Sequence, residues 1–327
     1  MLPSLWTFIQ LIIINSFSVR IVDSVDQSVL NMKLLIPPRL QSIVNLIPKD
    51  RVVADIGADH GILSAALVGH AKRVIAVEAS NLAASKGVAH LASKLGYRKD
   101  QLSVHIGSGL YPIIKSNIRN VDTIVMAGMG TTSILQILSQ DVSAVLTSDC
   151  AAGSPLSSSG SNLDLSATKQ LGISQIVFQP SPPSLTLTLK LARILYHHGW
   201  YCNGTNICRS SNGRFFPNFS FALTLNKEVC WNGYTPLHDV FSTFPFIKAV
   251  SSDRDVWRDY LRIQKGVLDA SVVGLGAGYM RCDMGYDNSR MKKSVFPTES
   301  KNTQLNFRIE ATQKLSNAIQ SFIVENK

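Results

Sequence analysis

Two hydrophobic periods alternate along residues 39–225. Short, mostly apolar runs form the first: "RVVADIG" (51–57), "RVIAVEAS" (73–80), "VDTIVMAGMG" (121–130) and "ISQIVFQP" (173–180), with "LSVHIGSGL" (102–110) as a short, more polar third strand. Such runs suit strands buried on both faces. Helical spacing forms the second. It marks 39–48, which stops at Pro48, then 61–70, and 82–96, closed by Gly96. It recurs over 131–140, which opens on Thr131 as a helix-start residue, and over 184–200. His197 and His198 sit at the end of that last segment, before Gly199, where a cation suits a helix terminus. Residues 200–208 and 215–225 then read as a hairpin. Repeated βα units predict an α/β fold with a parallel sheet and helices on both faces. The hairpin adds an antiparallel strand at one edge.

Past residue 226 the pattern is helical. Val256, Trp257, Tyr260, Leu261 and Leu268 share one face, as do Leu305, Ile309, Thr312, Leu315, Ile319 and Phe322. Two helices packed as an antiparallel, coiled-coil-like pair are expected, as a grip for a partner or as a packing appendage. The Gly-rich, polar stretch 274–302 reads as the loop between them. Residues 149–168 hold six serines and no Lys or Arg, which suits a surface insertion between a helix and a strand. At the amino terminus, residues 5–19 carry no charge and are mostly large and apolar. Their length fits the core of a targeting segment better than a bilayer span. The chain from Met1 to Val19 lacks any Lys or Arg, so a start at Met32 is the competing reading. The organisation expected is a leader (1–31), a Rossmann-like domain (32–226) interrupted by 149–168, and a helical carboxyl-terminal domain (227–327).

Composition changes the picture in two ways. Of the net charge of +10, residues 32–226 account for +8, with 17 basic and 9 acidic groups. That suits a polyanionic partner, nucleic acid first, with a solvated basic surface as the equally open reading of the charge. Five cysteines, at 150, 202, 208, 230 and 282, form no CxxC pair. Reduced thiols are therefore expected, with no zinc or other metal site.

Candidate chemistry gathers where strands end. Asp55, Asp59, Glu78, Ser108 and Gly128 all fall at carboxyl ends of predicted strands, where doubly wound sheets bind ligands. The first turn reads Gly57-Ala58-Asp59-His60-Gly61. A dinucleotide turn has glycine where Asp59 stands, and a carboxylate there would repel a pyrophosphate, so NAD is disfavoured. A ligand bearing an amine and a sulfonium cation suits such an acid, and S-adenosylmethionine is one. Glu78 lies 23 residues beyond Asp55, the usual place for an acid that grips ribose hydroxyls.

These residues also resemble a known family, the bacterial tRNA (adenine-22-N1)-methyltransferases. The resemblance rests on "RLQSIVNLIP" leading into "VVADIGADHGIL" (52–63), on "GSGL" (107–110) and on "IVMAGMGTTSILQIL" (124–138). It continues through "IVFQP" (176–180) and "LARILYHHGWY" (191–201) to "FPFIKAVSSDRDVWRDYL" (244–261). It implies a Rossmann-like sheet dependent on S-adenosylmethionine, with a carboxyl-terminal helical extension. Cofactor contacts would fall to Asp55, Gly57, Glu78, Gly107, Ser108, Gly109, Ala127, Gly128, Met129 and Gly130. Asp59 and His60 would be catalytic, and Ile62, Gln179 and Pro180 would meet the substrate. Departures from the family pattern are Ser108 in place of an Asp, Thr131 in place of a Gly, Ser181 in place of an Asn, and Ile62 in place of an aromatic.

The implied reaction is methyl transfer to N1 of a tRNA adenine. That nitrogen has a free lone pair, so positioning matters more than a strong base. A carboxylate can offset the charge that develops on the ring. Because N1 lies on the pairing edge, the base must be unpaired or extruded first. The competing reading is an RNA-binding protein that keeps the fold without catalysis. A bacterial-type tRNA enzyme behind a targeting-like leader suggests an organelle with its own translation, plastid-like or mitochondrial, with no stable membrane insertion of the mature domain.

Overall fold

The computed structural model describes residues 36–139, 165, 168, 171–223, 237–244, 251–283 and 298–325. The leader and most of the serine-rich segment lie outside these residues.

Seven strands form one sheet: β1 Val52–Ile56, β2 Arg73–Glu78, β3 Leu102–Ile106, β4 Thr123–Met129, β5 Gln175–Pro180, β6 Trp200–Arg209 and β7 Phe215–Leu223. Their order is β3-β2-β1-β4-β5-β7-β6. The first five pair in parallel, and β7 runs antiparallel between β5 and β6. Strand order reverses between β1 and β4, which leaves a crevice beyond their carboxyl ends.

The apolar runs are explained by two cores, one on each face. Ala54, Ile56, Ile75, Val77, Ile124, Met126, Ile176 and Phe178 face one. Val53, Val74, Ala76, Val125 and Val177 face the other. Each of the Val, Ile, Met and Phe side chains among them contributes about 1.5–3 kcal/mol on full burial, so strand register is strongly fixed.

Helices cover both faces. They are α1 Pro38–Val44, α2 Ile62–Val68, α3 over 81–94, α4 Tyr111–Lys115, α5 Thr131–Leu138, α6 Leu185–His197, α7 Leu237–Ser242, α8 Ser251–Asp283 and α9 Thr298–Glu325. Ser184 caps α6, its Oγ accepting the Leu187 N–H at 3.4 Å. The end of α6 follows expectation, with His197 in the last turn and Gly199 at φ +84°.

Four expectations need correction. Thr131 does not cap α5: the cap position is Gly130, with no side-chain bond, and Thr131 is buried. α4 and α7 went unread because five or six residues are too few to show a 3.6 period. The loop expected over 274–302 is shorter, since α8 continues to Asp283 and α9 starts at Thr298. Glycine costs about 1 kcal/mol in a helix, but extending an existing helix is far easier than nucleating one. Finally, the serine-rich segment ends earlier than residue 168. Leu165 and Thr168 are buried at 1% and 0% exposure, and Leu165 belongs to the main core.

α8 and α9 pack together, and Ser316 Oγ donates to Asp269 Oδ1 across them. Their apolar faces close directly over the sheet. Trp257 lies 6.0 Å from Phe219, and Tyr260 lies 5.9 Å from Phe215, between ring centroids. Leu261, Leu315, Ile319 and Ile323 share one continuous core with the strands.

Candidate functional site

The first βα turn is built from backbone conformations that few residues tolerate. Gly57 (φ +78°), Asp59 (φ +46°) and Gly61 (φ +75°) all take positive φ. Gly57 and Ala58 donate their N–H groups to the Val77 carbonyl at 2.8 and 3.1 Å, which ties the turn to β2. A Cβ on Gly57 would collide with Met129 Cε, so the turn after β1 and the end of β4 meet across the crevice.

Glu78 closes this arrangement. Its Oε2 accepts the Asp59 N–H at 3.0 Å, and its Oε1 accepts the Ser80 N–H at 2.9 Å. One carboxylate thus joins the first and second turns. Each oxygen keeps a lone pair for a ribose hydroxyl. Asp59 is held by its backbone, while its side chain projects into solvent. His60 stands beside it, Nε2 at 3.5 Å from Asp59 Oδ2, and both side chains are exposed.

Asp55 behaves differently. It is 2% exposed and its Oδ2 accepts from Ser64 Oγ at 2.6 Å. Burial pushes its pKa up to about 6, against the lowering effect of the Ser64 bond and with a further push from Glu78. Asp55 therefore anchors α2 to β1 from beneath the turn, and its side chain does not face the crevice.

The other strand ends complete the rim. Gly107 (φ +146°) donates to the Glu78 carbonyl at 2.9 Å, Ser108 is exposed, and Gly109 takes φ +59° before the buried Leu110. At β4 the ladder to β5 shifts between Ala127 and Met129. Gly128 bulges there at φ +73°, exposed and with open space where a side chain would stand. Gly130 follows as the cap position of α5. Ile62 is half-buried at the start of α2, packed against the second core.

Gln179 and Pro180 are both buried. The Gln179 amide is taken up by Asn218 Oδ1 at 2.7 Å and by Arg39, whose Nη1 donates to Gln179 Oε1 at 3.3 Å. The geometry thus makes Gln179 a support for Arg39, with no free amide to offer a ligand.

Several contributors escaped sequence reasoning. Ile106 and Leu82 are 54% and 62% exposed, and Ile106 sits opposite Glu78 in register. Such bare apolar side chains, one across the ladder from Glu78 and one four residues beyond it in sequence, suit the faces of a flat ring. The available signal was a large apolar residue beside each motif, which periodicity alone assigns to the core. Ser64 and Arg39 gave no signal, because their partners lie on other elements. Among the described residues, no group of three or more His, Cys, Asp or Glu could hold a metal ion, and no helix is long and apolar enough to cross a membrane.

The turns at residues 57–61, 79–81, 107–110 and 128–131 contain no Lys or Arg. These turns therefore offer carboxylates and backbone to a ligand, and none of them carries a Lys or Arg for a pyrophosphate. That donor set fits S-adenosylmethionine, whose amine and sulfonium are positive.

Known proteins point to the same class. Residues 36–152 match the family model of a methyltransferase domain, and the chain has the Rossmann-like methyltransferase fold with carboxyl-terminal helices. More particularly, it is similar to the B. subtilis tRNA (m1A22) methyltransferase TrmK, at TM-score 0.55 and 19% identity over 87% of this chain and 100% of that one. A putative tRNA (m1A22) methyltransferase of Streptococcus pneumoniae, in complex with S-adenosyl-L-methionine, gives 0.53 and 17%, over 86% and 100%. M. capricolum TrmK, in complex with S-adenosyl-homocysteine, gives 0.51 and 16%, over 87% and 99%. At these identities the likeness establishes the fold. No curated protein matches the sequence.

Proposed function

We propose that this protein transfers a methyl group from S-adenosylmethionine to N1 of an adenine in tRNA, at position 22 by its likeness to the family. The observation that carries the reading is the hold on Asp59: a positive-φ residue, fixed through its N–H to Glu78, with its carboxylate exposed at the switch point. The methyltransferase domain match and the tRNA methyltransferases that share the fold support it.

When bound, the cofactor supplies an electrophilic methyl group on a sulfonium. Glu78 receives the ribose hydroxyls while it keeps both turn amides. Ile106 and Leu82 flank a flat ring beside it, and Gly128 leaves backbone open to close approach. Asp59 accepts a hydrogen bond from the amino group next to N1 and offsets the positive charge that grows on the base. Such aimed charge commonly contributes a factor of about 100 or more. His60 steadies the Asp59 carboxylate from the solvent side. Ile62 offers an apolar wall where an extruded adenine would rest.

The test is direct. Purified protein is incubated with unmodified tRNA and S-adenosylmethionine, and the digested nucleosides are analysed by mass spectrometry. 1-Methyladenosine is the expected product. Methylation at another atom, or none despite measurable cofactor binding, would reject the proposal.

A further inference from the structure

The crevice is electrically divided. Asp59 and Glu78 stand on the β1/β2 side. On the opposite side, residues 36–48, 127–139, 175–185 and 200–218 contain no Asp or Glu at all, yet they carry Arg39, Arg209 and Arg214. β7 runs antiparallel to β5, with Phe178 opposite Phe219. The start of β7 and the turn before it therefore extend past the carboxyl end of β5, on the crevice side of the sheet. Arg209 is neutralised in part by Asp259 at 3.4 Å, and the Arg214 side chain is exposed on the hairpin turn.

Arg39 is held more elaborately than a surface cation needs to be. Its guanidinium lies over the Phe216 ring, 5.8 Å from the centroid, and its Nη1 donates to Gln179 Oε1. Gln179 is fixed in turn by Asn218, and Asn218 Nδ2 donates to Ser42 Oγ at 2.9 Å. Both amides are at most 1% exposed. Buried amides are costly to place and are kept where geometry matters. This chain of bonds ends at half-buried Arg39, beside the bulged end of β4, since Gln179 pairs with Ala127. Among the described residues, only Nη1 of its guanidinium has a hydrogen-bond partner.

We infer that Arg39 is a phosphate-binding anchor for the substrate RNA, set by Gln179 and Phe216 to grip the backbone next to the target base. The inference rests on the tRNA reading above and adds the polarity of the site. The acidic half takes the cationic cofactor and the basic half takes the polyanion. A planar guanidinium stacked on an aromatic ring suits a phosphate, which it can meet through two parallel N–H bonds. Gln179 then acts as a positioning residue.

The experiment measures tRNA binding as a function of salt for the wild type, Arg39→Gln and Arg39→Lys, with S-adenosylmethionine affinity determined by calorimetry on each. Arg39→Gln is expected to weaken tRNA binding about tenfold or more, as for loss of a charged hydrogen bond. The slope of log Kd against log salt should fall by about one, while cofactor affinity stays unchanged. Arg39→Lys should keep the slope and lose part of the affinity, because it lacks the planar fork. Should Arg39→Gln fail to fold, Arg39→Lys and Phe216→Leu carry the test, each expected to weaken tRNA binding without changing cofactor affinity. A merely structural arginine would lower the melting temperature and leave the salt slope alone, which overturns the inference. Wild-type protein that binds no tRNA would overturn it together with the tRNA reading. Wild-type protein that binds, with variants binding equally well, would overturn this inference alone.

Discussion

Two aspartates four residues apart have opposite surroundings, and their expected behaviour differs accordingly. Asp59 is exposed and reaches the crevice, so Asp59→Asn keeps shape and loses charge. Turnover should fall by about a hundredfold or more, with tRNA affinity barely changed, because phosphate contacts dominate that affinity. Steady-state methylation and a binding titration on the same preparation check this. Asp55 is buried with its pKa pushed up to about 6. A carboxyl whose folded pKa is raised binds protons more readily in the native state. Its contribution therefore favours folding at low pH and is lost as pH rises from about 4 to about 6, at a cost on the order of 3 kcal/mol. Asparagine can accept the same Ser64 bond without an ionisation cost. For Asp55→Asn the melting temperature at pH 7–8 should therefore be equal or higher, and its decline between pH 4 and 6 should flatten.

At the scale of elements, α3 is unusual. Residues Ala84–Ala89 form a π turn within it, and they press on the turn that carries Asp59. A Cβ on Gly87 would collide with the Asp59 carbonyl oxygen and come within 3.1 Å of His60 Cα. In return, a Cβ on Gly61 would meet Val88 Cα at 2.6 Å. Wide π turns recur at functional sites, and here one lets helix and turn interlock. Gly87→Ala should gain helix propensity yet displace Asp59, so turnover should drop at least tenfold as the turn loses its geometry. Gly266→Ala in α8 meets open space and should leave methylation unchanged. Equal activity in both variants would remove α3 from the account of the site.

At the scale of the whole molecule, the carboxyl-terminal helices share one of the two cores with the sheet. Trp257 of α8 is 1% exposed and packs on Phe219 of the sheet. Trp257→Ala should cost about 3–5 kcal/mol. The loss should appear in a single transition shared by far-ultraviolet and near-ultraviolet circular dichroism, since helices and sheet bury the same cluster. Two separate transitions would instead show that the carboxyl-terminal helices fold as their own unit.

Much of this was legible along the chain. Four of the parallel strands, β1, β2, β4 and β5, announced themselves through runs such as "RVIAVE", because a strand covered on both faces has no polar face to show. The positions of Gly57, Glu78, Gly107 and Gly128 at strand ends followed from the same pattern, since a βα alternation fixes which end of each strand is functional. The helical faces of Trp257 and Leu315 were equally plain. Other features depend on partners far apart in sequence. Ser64 beneath Asp55, Val88 against Gly61, and Leu165 in the core after a serine run all required the folded neighbour to give the residue its meaning. Gln179 is the clearest case. Sequence placed it at the end of β5, among substrate contacts. The fold surrounds its amide with Asn218 and Arg39, 39 and 140 residues away, and passes the outward role to the arginine. Local pattern therefore determined the elements and the end of the sheet where chemistry occurs. Burial and hydrogen-bond partnership, which are properties of three-dimensional proximity, decided which polar side chains face a ligand and which hold the others in place.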